Sequence, residues 1–177
     1  MYQDENQYYQ FIKDNLISHK ISEVFYEELN SFDNDGQWDL SDGIHSVSMN
    51  VVLVLQNGKI VRIKWDSTFY SFGVETDLLQ KIENNENYRT INVTQHFNWE
   101  NYLGKTIKSV EVLWYNQVPQ TWKIEFEDNM TIWISTLEIE LYTKEHRYMA
   151  DHLTVFFNGL NVKEYFVDKF EKRKVLD

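Results

Sequence analysis

The sequence predicts an α+β fold: a mostly antiparallel, twisted β-sheet built from hairpins, with an N-terminal and a C-terminal helix. Three observations carry this reading. Two runs of alternating apolar residues flank Asn57-Gly58, a pair suited to a tight turn because both residues tolerate positive φ. A second such pair of runs flanks Asp128-Asn129. Near each end, apolar residues recur at helical rather than strand spacing.

In chain order, residues 6–18 predict a helix, with Tyr8, Tyr9, Ile12, Leu16 and Ile17 on one side. Ile21 to Leu29 reads as a strand on its aromatic and β-branched content, although its alternation is not clean. Residues 30–44, dense in Asn, Asp, Ser and Gly, read as a loop. His45 to Leu55 and Lys59 to Trp65 form the first hairpin, with a type I′ turn expected at Asn57-Gly58. Residues 67–73 are an aromatic loop, and residues 74–87 are read as carrying a short helix around Leu78, Leu79 and Ile82. Tyr88 to Gln95 is read as a strand, and Trp99 to Leu103 as one turn before Gly104. Further strands are expected over 106–115, 121–127, 130–135, 137–142 and 152–157, then a closing helix over 162–171. Shifting the first hairpin by 71 positions places Leu53, Leu55, Val61 and Ile63 on Ile124, Phe126, Ile132 and Ile134, a rhythm that any two hairpins of equal loop length would share.

The 177 residues suit a single domain, 1–177, able to bury a core without disulfides or metal. There is no cysteine, which removes thiol catalysis and Cys-type zinc sites. The first residues show no signal-peptide pattern, and no stretch approaches a membrane span, so a cytoplasmic protein with no membrane partner is expected. The formal net charge is −11, which disfavours a phosphate backbone and hence nucleic acid. The charge is uneven. Residues 1–45 hold ten Asp or Glu against Lys13 and Lys20, while Lys169, Lys172, Arg173 and Lys174 crowd the last nine residues.

No residue set reads as catalytic, and no cofactor or metal is expected. Residues 31–42 fall partly on the calcium-loop template, with Asp33, Asp35, Gly36, Asp39 and Asp42 in ligand or turn positions. Ser31 replaces the first carboxylate and Asp42 the bidentate Glu, so a solvated acidic loop is the simpler reading. His19, His45, His96, His146 and His152 are scattered, no two at i, i+4 spacing. The six glycines never cluster into a phosphate loop. Aromatics make up 16% of the chain, and several sit in loops. Trp38 lies among carboxylates, and Tyr70 and Phe72 share one loop. Rings beside carboxylates suit a partner rich in Arg and Lys. The partner-binding candidates are therefore Asp33, Asp35, Trp38, Asp39, Asp42, Tyr70 and Phe72.

The stretch from Trp99 to Glu140 carries a resemblance. Tyr102-Leu103-Gly104-Lys105-Thr106-Ile107 with Val110, Trp114, Pro119-Gln120, then Ile124-Glu125-Phe126-Glu127-Asp128 and Ile132-Trp133-Ile134-Ser135, resembles small bacterial immunity proteins of polymorphic and contact-dependent growth-inhibition toxins. About a quarter of the chain is covered, by what is mostly a strand pattern. The resemblance implies a cytoplasmic, non-enzymatic inhibitor that binds one cognate toxin domain, a basic nuclease-type one, by occluding its active site. It transfers no site residue. Two other readings stay open: a small-ligand-binding domain with an aromatic-lined pocket, or a hydrolase in which His96, His146 or His152 meets a carboxylate and a hydroxyl in a cleft.

Overall fold

The computed structural model describes residues 4–30, 38–41, 43–66, 72–83, 86–140, 143–165 and 167–177. Helix α1 spans Glu5–Leu16, and the Asp4 side chain accepts a hydrogen bond from the Gln7 N–H (3.0 Å) to cap it. Its buried stripe is Tyr8, Tyr9, Ile12 and Leu16, as the spacing predicts. At its other end Lys59 donates to the Asp14 carbonyl and to Asn15 Oδ1, both at 2.9 Å, placing a cation where helix carbonyls are unpaired.

One antiparallel sheet has five strands: β1 (Ile21–Leu29), β4 (Asn50–Leu55), β5 (Ile60–Asp66), β6 (Gly73–Leu79) and β7 (Tyr88–Asn92), in the order β6-β5-β4-β1-β7. The imperfect alternation of β1 has a structural cause. Its register against β4 shifts between Ile21 and Glu23, so Ile21, Val24 and Tyr26 all reach the core despite mixed parity. Residues 73–79 form an edge strand rather than the expected short helix: Val74, Thr76 and Leu78 lie opposite Trp65, Ile63 and Val61, and tertiary pairing overrides the Leu-Leu-Ile spacing.

The second sheet has seven strands: β2 (Asp39–Ser41), β3 (Ile44–Val47), β8 (Ile107–Tyr115), β9 (Val118–Phe126), β10 (Thr131–Ser135), β13 (Leu153–Phe156) and β14 (Glu171–Leu176), in the order β14-β8-β9-β10-β13-β3-β2. A small hairpin, β11 (Leu137–Ile139) with β12 (His146–Tyr148), stands beside it. The run expected from His45 to Leu55 is broken at Ser48-Met49, where the chain leaves the larger sheet and enters the smaller one. Helix α2 (Phe97–Glu100) is the single turn expected near Trp99. The closing helix is shorter than expected. Helix α3 (Gly159–Glu164) and a 3-10 turn (Val167–Lys169) give way to β14, whose Lys172, Arg173 and Lys174 are exposed on the sheet edge. Charge on an outermost strand disfavours pairing with another chain. Among the described residues, no helix is long and apolar enough to cross a membrane.

The turns refine the sequence reading. Gly58 has φ +85°, but Asn57 is not in the positive-φ region, so the first hairpin does not use a type I′ turn. The Gly58 N–H donates to the Leu55 carbonyl and the Leu55 N–H to the Lys59 carbonyl, both at 2.9 Å, which is a type I turn closed by a glycine bulge. The second hairpin repeats this, with Asn129 at φ +64° and bonds from Asn129 to Phe126 and from Phe126 to Met130. The 71-residue shift thus maps one turn onto the other in hydrogen bonding as well as rhythm. The type I′ turn falls elsewhere, at Asn116-Gln117 (φ +47° and +65°) between β8 and β9.

The inner faces of both sheets and α1 share one core, with Val24, Val51, Leu53, Val61 and Ile63 from the smaller sheet and Val110, Val112, Ile124, Ile132 and Val155 from the larger. The far side of the larger sheet is also covered: Ile44, Leu113 and Phe156 pack with Leu137, Val162, Tyr165, Val167 and Phe170. This double coverage explains why β3 and β13 are buried at every residue, with no alternation to read. Tyr8 fastens the layers. Its hydroxyl donates to the Val74 carbonyl of β6 (2.7 Å) and accepts from Trp122 Nε1 of β9 (2.5 Å). Where β6 passes β9, a Cβ on Gly73 would meet Val118 Cγ1 at 2.9 Å and Pro119 Cδ at 3.0 Å. Gly73→Ala is therefore expected to destabilise the fold by about 1–3 kcal/mol through overpacking, read as a lower urea midpoint with an unchanged m-value.

Candidate functional site

Five elements converge at one rim of the core. β1 contributes Tyr26, β3 contributes His45, and α2 with its cap contributes His96, Asn98 and Trp99. Trp38 and Asp39 come from the start of β2, and Phe157 follows β13. Strand pairing sets Asp39 directly opposite His45. His96 arrives through capping, since its Nδ1 accepts the Asn98 N–H at 3.4 Å and holds the ring at the head of α2.

The centre is His45, fully buried between rings. Trp38 lies 4.8 Å away, His96 4.6 Å and Phe157 4.7 Å between centroids, all edge-on. His45 Nδ1 is 2.7 Å from Tyr26 Oη, which also accepts from Trp99 Nε1 at 2.7 Å. Its Nε2 is 3.0 Å from Asn98 Nδ2 and 3.8 Å from Asp39 Oδ1. With the Asn98 amide so oriented, Nε2 holds the lone pair and Nδ1 donates to Tyr26. His96 Nε2 lies 3.2 Å from Asp39 Oδ2. Burial, aided by the neighbouring His96, pushes the His45 pKa down to about 3, so the ring is neutral at neutral pH. Burial likewise raises the Tyr26 hydroxyl well above its ordinary range, so it keeps its proton. The site therefore presents neutral imidazole and carboxylate on a ring-walled rim, open on the side where Asp39 and His96 are partly exposed.

Of the sequence candidates, Asp39 and Trp38 are brought together here. Asp39 is exposed, while Trp38 is half-buried, edge-on to Tyr26 at 5.3 Å and to His96 at 5.0 Å. Phe72 is exposed but leans on Trp65 (5.4 Å), whose Nε1 donates to the Ser48 carbonyl (3.0 Å) at the crossing between sheets. Asp33, Asp35, Asp42 and Tyr70 lie outside the described residues, and with them most of the calcium-like loop 31–42. Sequence spacing does not single out His45 and His96 as a pair. The one usable signal was the polar His96 just ahead of a short apolar-containing helix. His19, His146 and His152 lie elsewhere: His146 faces Tyr148 and Tyr165 on the β11–β12 side, and burial lowers the His152 pKa. A concavity of about 350 Å³ beside that hairpin is lined by Glu138, Glu140, Glu145, His146 and Arg147, a charged wall rather than the aromatic one a small apolar ligand would need.

Comparison of the chain with protein-family models, with curated proteins and with solved structures finds no match.

Tyr26→Phe removes the acceptor of Trp99 Nε1 and the partner of His45 Nδ1 while keeping the ring. Two buried donors left unpaired predict a loss of about 2–4 kcal/mol in chemical denaturation, with the native far-UV spectrum retained.

Proposed function

We propose that this chain is an immunity protein that binds and neutralises a cognate basic toxin domain, a nuclease-type one included, by covering its active site. The observation that carries the reading is the charge, along the sequence, of the segments that supply the site residues. Residues 21–58 contain seven Asp or Glu and no Lys or Arg; residues 90–104 contain Glu100 and no Lys or Arg; residues 148–162 contain Asp151 and no Lys or Arg. Glu27 of these is buried, against Asn50. Three cations that follow the first segment are engaged. Lys59 holds the end of α1, Arg62 makes a two-point pair with Asp77 (2.9 and 2.7 Å), and Lys64 pairs with Asp66 (3.1 Å) and Asp77 (3.4 Å). Carboxylates unmatched by lysine or arginine within these segments attract a basic protein and repel nucleic acid, and Asp39 beside Trp38 offers guanidinium groups both a carboxylate and a ring. Exposed Phe97 next to His96 and exposed Phe72 supply apolar anchors of the kind that set dissociation rates. Such a protein would act in the cytoplasm, where the toxin would meet it, and would use no membrane or cofactor.

The hydrolase reading gains one observation, because His96 does meet a carboxylate. The Tyr26 hydroxyl, however, contacts His45 rather than His96, is buried and already accepts from Trp99, so the arrangement suits recognition better than nucleophilic attack.

The test is co-expression with the product of the adjacent upstream gene. Growth rescue and a co-purifying complex are expected, with Asp39→Lys slowing association about tenfold at low salt and the difference shrinking as salt rises. A neighbouring gene without toxicity, or toxicity that this protein does not relieve, rejects the reading.

A further inference from the structure

We propose that Asp39, His45 and His96 form a binding site for a divalent transition-metal ion of the zinc class, independent of the partner-binding reading above. One donor atom from each residue lies within 4.8 Å of the others. Zn²⁺ bonds imidazole nitrogen and carboxylate oxygen at about 2.0–2.2 Å, which sets tetrahedral ligand atoms roughly 3.4 Å apart. The His96 Nε2–Asp39 Oδ2 distance of 3.2 Å already meets that spacing, and His45 Nε2 lies 3.8 Å from the other carboxylate oxygen, Oδ1, so the third ligand closes by a small rotation of Asp39 and the rings toward the ion.

The surroundings are those of a ligand set. A metal-bound histidine is oriented by a hydrogen bond at its other nitrogen, and His45 has one to Tyr26 Oη, itself fixed by Trp99 Nε1. Trp38 and Phe157 wall the site, while the part-exposed Asp39 and His96 leave the remaining coordination position to water. Two histidines with one carboxylate favour a borderline cation over Ca²⁺ or Mg²⁺, which take all-oxygen shells.

Occupancy makes two local demands, both on Asn98. Its amide must rotate away from His45 Nε2, now 3.0 Å distant. The His96 ring must carry its proton at Nδ1, giving up the 3.4 Å contact with the Asn98 N–H, which is at the long end for a hydrogen bond. The metal then takes the place of the proton shared between His96 Nε2 and Asp39.

Calorimetric titration of the metal-stripped full chain with ZnCl₂ tests this, with CaCl₂ and MgCl₂ as parallel probes and Trp fluorescence as a second readout, since Trp38 borders both rings. One equivalent of Zn²⁺ is expected to bind with a micromolar or tighter Kd, and Ca²⁺ and Mg²⁺ at least about 100-fold more weakly. Asp39→Asn and His96→Gln, both at part-exposed positions that leave the core intact, are each expected to weaken Zn²⁺ at least tenfold with an unchanged circular dichroism spectrum. His146→Gln, on the β11–β12 side, should leave the affinity as it is. Absence of Zn²⁺ binding, binding indifferent to Asp39→Asn and His96→Gln, or equal affinity for Ca²⁺ overturns the proposal. None of these readouts requires the toxin partner, so failure here and failure of the inhibitory reading are separable.

Discussion

Large rings with polar tips can be buried between sheets only if every tip finds a partner, and this constraint organises the molecule. Tyr8 answers Trp122 and the Val74 carbonyl, Tyr9 answers Trp114, and Tyr26 answers both Trp99 and His45. The three pairings join α1 to both sheets and β1 to α2. A shift of any of these elements by one residue would strand an indole N–H in an apolar core. The aromatic-rich composition is therefore spent largely on positioning and only in part on exposed surface.

That division explains what was legible in the sequence. The helix α1, the strand β1 and both hairpins follow from local rhythm and turn chemistry, and the correspondence between the hairpins extends to Gly58 and Asn129 in the same turn position. Local rhythm fails where burial is two-sided or where a neighbour dictates the state. β3 and β13 have no exposed face, Val74 to Leu79 is held as a strand by β5, and the end of the chain is drawn onto β8 as β14. The candidate site was legible by half. Trp38 and Asp39 stood out because carboxylates surround a ring. His45 and His96 did not, because no spacing rule links residues that meet through strand pairing on one side and a helix cap on the other.

The distribution of charge follows the same logic at larger scale. Two cations of β5 are satisfied across strands, in the Arg62–Asp77 and Lys64–Asp77 pairs, while the segments that supply Asp39 and its neighbours are rich in carboxylates. The opposite pole is β14, where Arg173 pairs with Glu5 (3.0 Å), lies 4.2 Å from the Trp114 ring centroid, and sits beside exposed Lys172 and Lys174. The molecule is thus polarised, and a charged partner approaching it would be turned before it touched.

The crossing at Ser48-Met49 has a kinetic corollary. Because the chain changes sheets there, Val47 ends up paired with Leu153 while Asn50 pairs with Lys64. The runs β4–β5–β6 and β8–β9–β10 can assemble from near neighbours, but β3 must wait for a loop of more than half the polypeptide to close before it meets β13, and loop closure of that length slows the search. Apolar strands such as β3 would meanwhile stand uncovered, which ties the yield of native molecules to how rapidly that distant strand docks.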